Sequence, residues 1–97
     1  MSSNEEYQLP PTSIWPQIAK LAINEDKPLM LDYWVDSLEK KVIIGVKEDE
    51  EKLLVKNSEE YTSPITKIFQ LQNIYIIVTE NSIYITANNI DKRRISS

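Results

Sequence analysis

Four consecutive acidic residues, Glu48 to Glu51, form the densest group of potential ligand atoms in the sequence. Carboxylate oxygens are the ligands that Ca²⁺ and Mg²⁺ prefer, but the spaced ligands and the central glycine of an EF-hand loop are missing. We therefore interpret this segment as a solvated hairpin tip between Lys47 and Lys52, with docking to a basic partner as the alternative. No metal site is expected.

Side chains for catalysis are scarce, since the chain contains no cysteine and no histidine. It thus lacks the thiol nucleophile, the usual zinc ligands and the commonest general base. No motif indicates an enzyme that uses only carboxylates, lysine and tyrosine. We predict that the protein is not an enzyme and that it has no cofactor and no small-molecule substrate.

The C-terminal residues 89–97 contain the only two arginines of the chain, Arg93 and Arg94. Together with Ser96 they match the pattern of a basophilic kinase site, which is short and frequent. We interpret this segment as a polar, basic tail outside the domain.

The clearest structural pattern is a hairpin with a two-residue loop at Glu80-Asn81. This register places three aliphatic pairs on one face, namely Val78 with Ile83, Ile76 with Ile85, and Ile74 with Ala87. The other face then carries Tyr75, Ile77 and Tyr84. Because such an apolar face gains free energy when it is covered, we predict that these three residues bind a protein partner or a second copy of the chain. Coverage by another part of the same chain is the alternative.

Trp34 is the fourth predicted partner-binding residue. It interrupts an alternating run of Leu31, Tyr33 and Val35, so its side chain is expected to point away from theirs. Tryptophan is a frequent interface anchor, and in a small protein it is also a frequent core residue. Both roles remain open for Trp34.

The elements that position these residues begin after a flexible N-terminal arm, predicted over residues 1–12. Ser13 is a suitable N-cap for a helix that ends near Asn24, and Pro16 falls in its first turn. One face of this helix is predicted from the spacing of its apolar residues: Ile14, Ile18 and Leu21.

Period-two alternation predicts strands along the rest of the chain. One strand is expected from Leu29 to Val35, and another from Ile65 to Leu71, where Lys67 indicates an edge position or a bulge. Between them, a four-residue loop at the acidic tip would join two strands. That loop length pairs Val46 with Leu53 and Ile44 with Val55, so that all four point into one core.

These elements predict an α+β fold that is predominantly antiparallel β. An N-terminal helix packs on a bent sheet of five or six strands, or on a small barrel, in a single domain over residues 13–88. The hydrophobic fraction of 41% supports such a core without disulfides.

The order of a helix and then about five strands, ending in the segment from Ile77 to Ile85, resembles that of the Sm-like ring proteins. That family ends in a hydrophobic hairpin with an Arg-Gly-Asn type motif before a Val-x-Tyr-Ile run. Asn81 matches the motif, whereas Thr79 and Glu80 stand where the family has Arg and Gly. The resemblance implies a small barrel, ring-like self-association and association with nucleic acid.

The net charge of −4 points away from a general nucleic-acid binder and toward an acidic, cytoplasmic protein. Residues 1–24 contain no signal-peptide-like apolar run, and no membrane contact is expected. Ile, Asn and Lys are frequent and have AT-rich codons, which indicates a source with an AT-rich genome, microbial or viral.

The predicted function is that of a protein-interaction module: a scaffold, adaptor or regulator that self-associates or docks on a protein partner. The alternatives are an acidic, phage- or virus-type inhibitor of a host nucleic-acid-binding site and the Sm-like protein described above.

Overall fold

The computed structural model describes residue 10 and residues 12–95 of the chain. A 3-10 turn (Thr12–Ile14) leads into helix α1 (Trp15–Glu25), and a second, short helix is α2 (Trp34–Leu38). The strands are β1 (Leu29–Met30), β2 (Ile43–Val46), β3 (Lys52–Asn57), β4 (Glu60–Tyr61), β5 (Ile65–Leu71), β6 (Ile74–Thr79), β7 (Ile83–Ala87) and β8 (Asp91–Arg94). The predicted arm over residues 1–12 lies almost wholly outside the described residues. No helix in the described part of the chain is long and apolar enough to cross a membrane.

The strands form two mixed sheets of four strands each. The order is β1-β7-β6-β5 in the first sheet and β4-β3-β2-β8 in the second, and each sheet contains one parallel pair among antiparallel ones. The predicted α+β class is therefore confirmed. The single bent sheet is replaced by two sheets, and the described residues form no closed barrel, which corrects the small-barrel alternative. Pro64 lies where the chain passes from β4 to β5, and a proline has no N–H to continue a strand ladder there.

The molecule has three layers, with the first sheet in the middle. Helix α1 covers one face of this sheet, where its residues pack with the central aliphatic side chains Ile74, Ile76, Val78, Ile83 and Ile85. The second sheet covers the other face, in a core formed by Tyr33, Val42, Ile44, Leu54, Ile77 and Ile90. Because β6 is buried on both faces, it is apolar at nearly every position instead of alternating with polar residues.

Helix α1 packs by the predicted face, although its start differs from the prediction. Ile14 and Ile18 are fully buried against the first sheet, and Leu21 is partly buried beside them. Ser13 does not cap the helix, because the N-cap residue is Ile14 and no side chain donates or accepts a capping bond there. Ser13 lies instead inside the 3-10 turn that precedes the helix.

The predicted strand from Leu29 to Val35 is wrong beyond Met30. The backbone N–H of Trp34 donates to the carbonyl of Leu31 at 3.2 Å, and the chain turns into α2. Ser37 then fixes this short helix, since its buried hydroxyl donates to the Trp34 carbonyl at 2.6 Å and accepts from the Ala87 N–H of β7 at 2.9 Å. A buried polar bond between elements decides the conformation here, which hydrophobic alternation does not reveal.

The hairpin of β2 and β3 differs from the prediction by one residue in register. Val46 pairs with Lys52 and Ile44 pairs with Leu54, because the loop has three residues instead of four. The Lys47 N–H donates to the Glu51 carbonyl at 2.8 Å, and Glu50 takes the left-handed conformation with φ of 72°. Because the register is shifted by one residue, every side chain of β3 lies on the face of the sheet opposite to the predicted one.

The hairpin of β6 and β7 has the predicted register, including Val78 with Ile83 and Ile77 with Tyr84. Neither Glu80 nor Asn81 has a positive φ, so the turn is not type I′. The Thr79 hydroxyl accepts from the N–H groups of Asn81 and Ser82 instead. Strand β5 also matches its prediction, because it lies at a sheet edge with a register shift between Ile65 and Lys67.

The C-terminal segment is part of the second sheet instead of a tail. Residues Asp91–Arg94 pair in parallel with β2, and the Ile95 N–H donates to the Val46 carbonyl at 2.9 Å. Buried Ile90 precedes the strand and anchors it in the core between the sheets. The domain therefore continues beyond the predicted boundary at residue 88, while Ser96 of the kinase-like pattern lies outside the described residues.

Candidate docking groove

Of the four residues predicted to bind a partner, two are buried within the chain and two are partly buried. Ile77 has no exposed surface, and Tyr75 and Tyr84 are partly buried beside it, under the second sheet. Trp34 is 5% exposed and lies in the other core, beneath α1. The structure thus brings three of the four together and separates Trp34 from them. Their role in partner binding stays a prediction. In this fold a partner could contact Ile77 or Trp34 only if the layers separated, whereas Tyr75 and Tyr84 retain some exposed surface.

The aromatic side chains between the sheets pack closely. The rings of Tyr33 and Tyr84 meet edge to face, with centroids 5.2 Å apart. Burial raises the pKa of the Tyr33 hydroxyl to about 12, and the neighbouring Tyr84 adds to the effect. These contacts stabilise the packing of the second sheet on the first.

An open groove lies on the opposite, outward side of the second sheet. It has a volume of about 660 Å³. Its floor consists of four aliphatic side chains, Ile43, Leu53, Val55 and Ile95. The floor exists because of the three-residue loop, since the observed register turns Leu53 and Val55 away from the core between the sheets. We call this feature the outer groove.

The rim of the outer groove is basic. Five residues with cationic side chains line it, namely Lys40, Lys41, Lys47, Lys56 and Arg93, and among the described residues no acidic residue does. Asn57, Ser58 and Tyr61 complete the rim, and Tyr61 is 59% exposed. The cations come from four separate places: the α2–β2 connection, the end of β2, strand β3 and strand β8.

Four of these cations already contact carboxylates that lie outside the groove lining. The N–O distances are 3.0 Å for Lys41–Glu39, 3.2 Å for Lys47–Glu51, 3.1 Å for Lys56–Asp36 and 3.2 Å for Arg93–Asp91. The bond to Glu39 raises the pKa of the Lys41 ammonium group. The pairs of Lys41 and Arg93 are exposed on both sides, so water and salt screen them and each contributes little to stability.

Lys56 differs from the other rim cations because its position is fixed from two sides. Its ammonium group lies 4.6 Å from the centroid of the Tyr33 ring and also pairs with Asp36. Its side chain is 19% exposed. Lys56 therefore belongs in part to the structural core, while Lys40, Lys41 and Arg93 are the rim cations with the most freedom to meet a ligand.

The acidic tip from Glu48 to Glu51 makes contacts within its own hairpin and with β8. The Asp49 carboxylate accepts from the Glu51 N–H at 3.1 Å, Glu51 pairs with Lys47, and Glu50 lies 3.5 Å from Arg94. In the part of the chain that the structure describes, no group of three or more potential ligand side chains could hold a metal ion.

The sequence contains a signal for the outer groove that the predicted register concealed. Lys40-Lys41, Lys47 and Lys56 flank the aliphatic residues of β2 and β3, which is a basic frame around apolar positions. With a three-residue loop, Leu53 and Val55 would have been placed on the outer face beside these lysines. Arg93 could not be assigned to the groove, because nothing local indicates that β8 pairs with β2.

Comparison of the chain with protein-family models, with curated proteins and with solved structures found no match.

Proposed function

We propose that this protein is a non-enzymatic interaction module that docks on a protein partner through the outer groove. One observation carries the proposal: an aliphatic floor, in which Ile43, Val55 and Ile95 are partly exposed and Leu53 is buried, lies inside a rim of five residues with cationic side chains, and no acidic residue lines the groove among the described residues. An apolar centre within a polar rim is the usual composition of a protein interface. The proposal thus moves the docking face from Tyr75, Ile77 and Tyr84 to the outward side of the second sheet.

Three of the floor residues support docking, because Ile43, Val55 and Ile95 are only partly buried by the chain itself. Val55 and Ile43 point away from the core between the sheets, and Ile95, which follows β8, lies with Val55 beside Gly45. Covering such side chains by a partner stabilises a complex by about 25 cal/mol for each Å² of apolar surface removed from water.

This geometry favours docking over the two alternatives. An inhibitor that mimics nucleic acid needs carboxylates over one face, whereas the outer groove is lined by cations. An Sm-like role rests on a barrel, which the two separate sheets do not form. We include in the proposal the cytoplasmic location expected from the sequence, because a chain without cysteine gains no disulfide from an oxidising compartment.

The experiment compares two glutamate substitutions on opposite sides of the molecule. Val55→Glu places a carboxylate in the groove floor, and Ile23→Glu makes the same kind of change on α1, where Ile23 is 78% exposed. Circular dichroism tests whether each variant folds. The mass of each is then measured by light scattering, and proteins captured from the lysate of the native source are quantified for each variant and the wild type.

We expect Ile23→Glu to retain the bound proteins of the wild type and Val55→Glu to lose them. If the wild type is a dimer and Val55→Glu a monomer, the partner is a second copy of the chain, which also supports docking through the groove. A folded Val55→Glu variant with unchanged partners and unchanged mass would overturn the proposal.

A further inference from the structure

We infer that the outer groove recognises a segment of its partner in which carboxylate side chains lie next to aliphatic ones. This inference rests on the proposed function and names the chemistry of the segment bound. The cationic rim fits the carboxylates of such a segment, and the aliphatic floor fits its aliphatic side chains. The carboxylates of this chain that already pair with the rim provide a specific test.

The cationic rim attracts carboxylates, and two of its exposed cations already hold one. Lys41 and Arg93 each hold a carboxylate of this chain at 3.0 and 3.2 Å, so their ammonium and guanidinium groups are already placed at hydrogen-bonding distance from such a group. Both pairs are largely exposed, and exposed pairs contribute only about 0.2–1 kcal/mol each. A carboxylate from a partner can therefore replace Glu39 or Asp91 at little cost in free energy.

The aliphatic floor selects aliphatic side chains over nucleobases. Bound single-stranded nucleic acids stack their bases on aromatic rings, and Tyr61 is the one aromatic residue that lines the groove in the described part of the chain. The four floor residues are instead Ile, Leu, Val and Ile. A partner segment with Leu, Ile or Val beside Asp or Glu would satisfy both the floor and the rim.

The carboxylates of this chain act as internal competitors of such a segment. Glu39 closes α2 and Asp91 begins β8, and each occupies a cation of the rim from outside the groove lining. Removing the negative charge of Asp91 frees Arg93 without removing any lining residue. Affinity for an acidic segment should then rise, which a purely structural role of the Asp91–Arg93 pair would not produce.

The test measures binding of fluorescent peptides to the full chain by anisotropy, at protein concentrations up to the millimolar range. One peptide alternates aspartate and leucine. Three others change one property each: lysine replaces aspartate, serine replaces leucine, or phosphoserine replaces aspartate. A single-stranded oligothymidine is the nucleic-acid probe. The protein variants are Asp91→Asn, Glu39→Gln and Arg93→Gln, with Lys20→Gln on the exposed face of α1 as the matched control.

We expect the aspartate-leucine peptide to bind best and to bind more weakly as salt is added. Asp91→Asn and Glu39→Gln should each tighten its binding by about two- to fivefold, and Arg93→Gln should weaken it by about fivefold, while Lys20→Gln has no effect. Unchanged or weaker binding by both carboxylate variants would overturn the inference, as would no binding of this peptide or tighter binding of the phosphoserine peptide or the oligothymidine. If Val55→Glu still abolishes capture of the partner in that case, the proposed function stands and only the chemistry of the segment is wrong.

Discussion

The Cδ1 atom of Ile95 occupies the space beside Gly45, at 2.7 Å from the position that a Cβ atom of residue 45 would take. This contact packs the residue that follows β8 against the centre of the second sheet. The single glycine of the sequence thus permits the close approach of the segment after β8 to β2.

Enlarging residue 45 should displace Ile95. We expect Gly45→Ala to change the free energy of unfolding by less than about 1 kcal/mol, because the nearest atom is the end of a flexible side chain. Gly45→Val should destabilise by about 1–3 kcal/mol through overpacking and should speed hydrogen exchange at the Ile95 amide. Adding Ile95→Ala to Gly45→Val should recover much of this loss in urea titrations. No recovery in the double variant would show that Ile95 is not the obstacle.

Ile77→Lys should prevent folding, because Ile77 is fully buried between the two sheets. A lysine there would leave an unpaired charge without water, at a cost of several kcal/mol. The matched control is Ile68→Lys, since Ile68 pairs with Ile77 but lies on the edge strand and is 37% exposed. Circular dichroism distinguishes the two variants. A folded Ile77→Lys protein would mean that the second sheet does not cover this face.

Ile18→Ala should destabilise the protein by about 2–4 kcal/mol, the range for large-to-small changes in a core. Ile18 is fully buried between α1 and the first sheet, whereas Leu21 is only partly buried, so Leu21→Ala should cost less. Lys20→Ala, on the exposed side of the same helix, should have almost no effect. The midpoints of urea unfolding test this order.

Glu50→Gly should stabilise the β2–β3 hairpin, because Glu50 has a φ of 72°, a conformation that costs a residue with a Cβ about 1 kcal/mol or more. The expected gain is about 0.5–1 kcal/mol, reduced by loss of the exposed contact with Arg94. Glu48→Gly in the same loop should bring no gain, since Glu48 has no positive φ. Equal effects of the two changes on the melting temperature would contradict the three-residue loop.

Stability should fall at alkaline pH because of Tyr33. Its pKa is raised to about 12 in the folded state, from an ordinary value of 10.0, so the folded state holds the proton more tightly than the unfolded state. The corresponding stabilisation is fully present below pH of about 10 and is lost as the pH rises through about 12. Tyr33→Phe should remove this component, and Tyr61→Phe, at an exposed position, should retain it. Tyrosinate absorbance and urea titrations across this range measure both effects.

Local patterns were sufficient for the parts of the fold in which neighbouring residues decide the structure. The alternation along β6 and β7, with a two-residue loop between them, determines a register that the structure confirms. The spacing of Ile14 and Ile18 likewise determines the buried face of α1. Lys67, which interrupts the apolar face of Ile65, Phe69 and Leu71, correctly indicates the irregular edge of the first sheet.

Tertiary contacts decided the parts that these patterns do not reach. The bonds of Ser37 to Trp34 and to Ala87 turn a segment with the alternation of a strand into α2. Likewise, the parallel pairing of β8 with β2 joins residues almost fifty positions apart, and no short-range pattern records such a pair.

By itself, therefore, the sequence determined the α+β class, the helix face and the central hairpin, because each depends on the period of apolar residues within one or two adjacent elements. Only the tertiary structure decided which apolar face remains open. The side chains of the β6–β7 hairpin are covered by a second sheet, and a three-residue loop turns Leu53 and Val55 outward to form the outer groove. The first outcome depends on how the layers pack, and the second depends on a difference of one residue in register. An alternating sequence is compatible with both registers.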